Sequence, residues 1–170
     1  MDIKDYAKKQ LSTVLGEGES SGLYKTLVLK QQIFSEVLPD TFSMEYLALK
    51  LAIAAVVWKA YCKTNSLQLN SEEDLFFEYV MACFKTPKMT TLASAFSEYI
   101  YAADEVALSE MCLAMARYMF KRLKVEEKIQ RGAGDPKISP ALEAIVIAFE
   151  GFRTAFENEF DDFLFSDFEH

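Results

Sequence analysis

The chain has 170 residues and a mass of 19.3 kDa, is 51% hydrophobic and 26% charged, and contains only six Gly and four Pro. That composition supports one compact domain with one core and excludes disorder along the whole length. Lys plus Arg stand against Asp plus Glu as 5 to 5 over residues 1–38, 12 to 13 over 39–138 and 1 to 8 over 139–170, so nearly all of the net charge of −8 lies at the C-terminal end. A net negative protein is repelled by phosphate backbones and anionic bilayers, which argues against general binding of nucleic acid or of a membrane surface.

Apolar residues recur at spacings of three and four throughout, and nothing alternates with period two for long enough to be a strand, so the chain is expected to be all-α. The first helix spans Ile3 to Leu15 and stops at Gly16. The second runs from Leu23 to Leu38 and ends at Pro39. The third covers residues 44–63, begins near Ser43 and is apolar nearly all round. Lys50 and Lys59 interrupt it, and Ala48, Ala52 and Ala55 let neighbours approach closely, which marks a buried central helix rather than a membrane span. Ser71 and Asp74 form a capping-box-like pair ahead of a fourth helix with the stripe Leu75, Phe76, Tyr79, Val80, Cys83 and Phe84. From Thr91 to Gln130 there is no Pro or Gly, and the segment reads as two helices, 91–103 and 105–130, joined near Asp104. Ser139 and Pro140 form an N-cap and first-turn pair for the last helix. The expected architecture is a bundle of about six or seven helices around residues 44–63, a single domain over 1–163 followed by an acidic, Phe-rich tail over 164–170.

The chemistry-bearing residues are few. The only His is His170, at the end of an acidic segment, so nucleophile–His arrangements, haem ligation and Glu-x-x-His di-iron sites are not expected. Cys62, Cys83 and Cys112 are dispersed on apolar faces. They read as reduced core thiols rather than zinc ligands, and with no signal-peptide pattern at the start they point to a cytoplasmic protein. A carboxylate site for magnesium, as in a metal-dependent hydrolase, has Asp74 with Glu78 as its central candidate. The acids three apart, Asp2 with Asp5 and Glu159 with Asp162, lie near the termini. The loop GEGESSG lacks the Lys of a phosphate-binding loop. No catalytic, cofactor or metal residue is therefore assigned, and the chain is not expected to be an enzyme.

Two surface features carry the functional expectation. Arg117, Lys121, Lys124, Lys128 and Arg131 fall within a sector of about 80° on a helical wheel, opposite Leu108, Cys112, Met115 and Met119, and would form one basic helix face. At the C-terminal end, Phe149, Phe152, Phe156, Phe160 and Phe163 share a helical face. They either dock into the bundle or serve as anchors in a partner's groove, while Phe165, Asp167 and Phe168 leave the stripe. The expectation is a small helical protein-interaction module, an adaptor, regulator or complex subunit. It would bind a protein partner or itself through Phe163, Phe165, Asp167 and Phe168, through the basic face, or both. The alternative is a helical pocket protein for an apolar or aromatic small molecule, lined by Met111, Met115 and Met119.

Overall fold

A computed structural model describes residues 1–16, 20–28, 34–65, 69–125 and 139–167. The described residues form seven α-helices and no strand: α1 (Ile3–Gly16), α2 (Ser20–Thr26), α3 (Pro39–Asn65), α4 (Leu75–Cys83), α5 (Leu92–Asp104), α6 (Met111–Arg122) and α7 (Pro140–Asp162). The all-α, single-bundle expectation holds.

The central helix is where composition placed it. Ala48, Leu49, Leu51, Ala52, Ile53, Ala54, Val57, Trp58 and Cys62 of α3 are all inaccessible or nearly so. With small side chains on several sides, α3 can pack against α1, α2, α4, α5, α6 and α7 at once. By length and hydropathy α3 is apolar enough to cross a bilayer, but 72% of its apolar window is buried by the bundle. Three elements differ from expectation. The helix expected over 105–130 begins only at Met111, after the 3₁₀ turn Leu108–Glu110, and ends at Arg122. Pro39 opens α3 instead of closing the preceding helix, because a first-turn residue needs no N–H donor and its fixed φ suits the position. The helix expected over Leu23 to Leu38 stops at Thr26 as an α-helix, and residues 34–36 form a turn. Lys50, one of the two lysines that interrupt the apolar run, is only 1% exposed. Its Nζ lies 4.8 Å from the centre of the Phe152 ring and 5.4 Å from that of Tyr46, a placement that the faces of the two rings favour.

Helix α7 is the second organising element. The Ser139 hydroxyl accepts a bond of 3.2 Å from the Leu142 amide and Pro140 takes the first helical position, as the sequence indicates. Phe149, Phe156, Phe160 and Phe163 are then buried in one row, with Phe152 half-buried beside them. Phe160 lies 4.8 Å from Trp58, 5.1 Å from Tyr61 and 5.4 Å from Tyr6 between ring centres, and Phe163 stacks on Tyr6 at 4.1 Å. The α7 ridge therefore ties the two ends of the chain to the middle of α3. Burying this many aromatic rings contributes about 0.5–1.5 kcal/mol per well-formed pair beyond the area removed from water.

Candidate interaction surface

The expected surfaces are redistributed by the fold. Phe163, read as a partner anchor, is a core residue at 2% exposure, because the helical stripe continues through it into the π-turn Phe163–Asp167 and delivers its ring to Tyr6. Phe165 leaves the stripe and is 88% exposed. The basic face is also shortened. Helix α6 ends at Arg122, and Lys124 adopts φ 55°, so it cannot continue the face of Arg117 and Lys121. The Val125 amide bonds to the Phe120 carbonyl at 2.9 Å and the Lys124 amide to the Lys121 carbonyl at 3.2 Å, the pattern of a Schellman stop with Lys in the place usually taken by Gly. Lys128, Arg131 and Phe168, and the side chain of Asp167, lie outside the described residues.

Arg122 belongs to a part-buried polar cluster instead. Its Nε donates to both Glu45 oxygens, at 2.9 and 3.1 Å, its Nη2 donates to Glu45 Oε1 at 2.8 Å, and its Nη1 pairs with Glu98. The Tyr99 hydroxyl donates to Glu45 Oε2 at 2.6 Å. The hydrogen bonds to Glu45 hold the Arg122 guanidinium above its ordinary pKa, while burial first and the Glu45 bond second push the Tyr99 hydroxyl up. This cluster links α3, α5 and α6. With Glu45 accepting from both Arg122 and Tyr99, it reads as a structural clamp.

The remaining chemistry candidates are not brought together. Asp74 pairs with Lys59 at 3.4 Å and Glu78 is exposed. Among the described residues no three Asp, Glu, His or Cys side chains are grouped to hold a metal. Cys62 and Cys112 are buried and Cys83 is half-buried, all as free thiols. Burial pushes the Cys62 and Cys112 thiols up to about 12, with Glu72 and Glu150 respectively as the next contribution. Met111, Met115 and Met119 are packed into the core.

What the packing leaves open is a cleft of about 270 Å³ between α3, α4 and α5. Phe96 of α5 has its ring centre 5.6 Å from that of Phe77 of α4 and 5.2 Å from that of Phe84, the residue that follows α4. Ala55 and Val56 of α3 and Ile100 of α5 line the floor, Phe77 stands at the lip, and Lys59, Glu73, Asp74 and Asp104 complete the lining. Phe77 and Met81, one turn apart on α4, are each 37% exposed. Sequence reading passed over this feature because Phe77 and Met81 sit off the buried α4 stripe. An apolar pair at spacing four on the face opposite a core stripe is the signal that would have exposed it. A second cleft of about 310 Å³, where α1 begins and α7 ends, is lined by Met1, Tyr6 and Phe163 together with Lys9, Gln10, Thr13, Glu159 and Asp162, a more polar mixture than the first. Gln10 Nε2 donates to Glu159 there at 2.9 Å.

Comparison of the chain with models of protein families, with curated proteins and with solved structures gives no match.

Proposed function

We propose that the chain is a small helical protein-interaction module, an adaptor, regulator or complex subunit, that docks a partner in the cleft between α3, α4 and α5. The observation that carries this reading is the apolar part of the cleft lining, Ala55, Val56 and Ile100, with Phe77, 37% exposed, beside them. Apolar surface left accessible next to a concavity is what a partner's anchor side chain buries. Size favours a protein over a small molecule. Pockets that enclose drug-sized ligands span roughly 300–1,000 Å³ and cover most of the ligand, whereas this cleft is about 270 Å³ and open to solvent, room for one or two side chains. Phe165, fully outside the core, supplies a separate apolar contact.

The test is affinity purification of the tagged full chain from its native cells, with wild type and Phe77→Glu compared side by side after dichroism has shown equal helix content. The reading expects one protein to co-purify in stoichiometric amount with wild type and to be lost from Phe77→Glu. Equal recovery with both would contradict it, as would no co-purifying protein at all.

A further inference from the structure

We infer that the α3–α4–α5 cleft recognises a cationic amphipathic segment of its partner, with a Lys or Arg of that segment placed on Asp104 and its apolar neighbours on Phe77 and Ile100. This rests on the interaction reading above and names the partner's chemistry.

The charges around the cleft are not equivalent. Asp74 lies just before α4 and Glu78 in its first turn, where the partial positive charge of a helix start favours a carboxylate, and Asp74 also has Lys59 at 3.4 Å. Glu73 has Lys63 at 3.9 Å. Asp104 is the last residue of α5, an end that carries no basic residue in its final turn and is followed by Glu105. The carboxylate therefore adds to the partial negative charge of the helix end rather than offsetting it, and among the described residues it has no ion-pair partner. The cleft lining holds three carboxylates against the single ammonium of Lys59. A cation entering beside Asp104 meets both the unpaired carboxylate and the α5 dipole, and the apolar floor one turn away at Ile100 receives the side chain next to it. An acidic or neutral segment gains only the second contact. This also excludes the chain's own C-terminal end as the occupant, since residues 139–170 carry eight acids and one Arg.

The probe is a fluorescein-labelled peptide of about 18 residues, long enough to hold a helix, with Leu and Lys at helical spacing, and a twin in which every Lys is Glu. Anisotropy titrations use the full chain as wild type, Phe77→Ala, Asp104→Asn and Glu143→Gln, the last an exposed acid away from the cleft. Saturable binding of the Lys peptide is expected. Phe77→Ala should weaken it about tenfold, as an anchor contact does, Asp104→Asn about two- to fivefold, as a partly exposed ion pair does, and Glu143→Gln should leave it unchanged. Melting curves of each variant establish that the bundle is intact. Equal weakening by Glu143→Gln and Asp104→Asn would show general attraction to an acidic protein and overturn the inference. Binding of the Glu twin would do the same, as would sedimentation of the protein alone as a dimer that Asp104→Lys dissolves. The two readings fail separately. A native partner captured through Phe77 but docking with a neutral or acidic segment leaves the interaction module standing and removes the cationic partner, whereas saturable Lys-peptide binding at the cleft with no protein captured through Phe77 does the reverse.

Discussion

Two sets of carboxylates lie against α5, and the fold treats them in opposite ways. Glu45 and Glu98 are drawn into a cluster where Arg122 pairs with both and Tyr99 donates to Glu45. Asp104, at the end of the same helix, has no ion-pair partner among the described residues and sits where the helix dipole works against it. Taking a carboxylate out of water without a partner costs several kcal/mol, so Glu45 has to be answered from within. Asp104 stays in solvent, where the cost of leaving it alone is small, and that is what keeps it free for a partner's charge. The contrast separates charge that holds the bundle together from charge that is available at its surface.

Perturbing the interior should have the largest effects. Phe160→Ala removes a ring that meets Trp58, Tyr61 and Tyr6 and should cost about 3–5 kcal/mol in urea unfolding, whereas Phe165→Ala, outside the core, should change stability by less than about 0.5 kcal/mol. Equal effects would mean that the chain does not leave the core between Phe163 and Phe165. Next comes the clamp. Arg122→Met strands Glu45 and should cost about 3 kcal/mol, and adding Glu45→Gln should recover a good part of it, because the stranded charge rather than the lost pair dominates. A double variant worse than the single would make the clamp a net stabiliser.

Alkali probes the same interior. Burial raises the Cys62 and Cys112 thiols from 9.0 to about 12 and raises the Tyr99 hydroxyl as well, so the protonated forms are favoured in the folded state. Their contribution is complete below about pH 9, where the unfolded thiols are still protonated, and is lost as pH rises from there towards 12. The urea midpoint should accordingly hold between neutrality and pH 9 and fall beyond it. Smaller still is Tyr6→Phe. The Tyr6 hydroxyl is buried with no hydrogen-bond partner among the described residues, so its removal should stabilise by about 1 kcal/mol, and a loss would reveal a partner. At the surface end of the comparison, Asp104→Asn should stabilise by only about 0.3–1 kcal/mol through the helix dipole. A clear destabilisation would mean that Asp104 is held inside the protein after all.

The parts of the fold that were legible in the sequence are those governed by helical period and local capping. The row from Phe149 to Phe160, the Ser139–Pro140 start of α7 and the largely apolar α3 each carry their structure in residues three or four apart. What was misread depended on events that leave no local mark. The stop after Arg122 uses Lys124 at φ 55° where a Gly would have announced it, so the basic face extends on a helical wheel but not in space. Pro39 is compatible with either side of a helix boundary, and only the packing of α3 decides which. The Ser71–Asp74 capping pair does not form. Residues Asn70–Glu72 make a short 3₁₀ turn and α4 begins at Leu75 with no side-chain cap. The cleft was not legible because it depends on how three consecutive helices pack against one another, although Phe77, placed off the core stripe, was its one local trace.

The most direct test of the docking surface is site-specific photo-crosslinking in the native cells, with an aromatic photoreactive residue at position 77 in the cleft in one strain and at position 165 in the other. The account predicts that position 77 captures a single protein, that this protein carries a Lys- or Arg-rich amphipathic segment, and that the crosslink disappears when Asp104→Lys is added. A crosslinked protein recovered only from position 165, or one captured at position 77 with equal yield in the Asp104→Lys background, would contradict it.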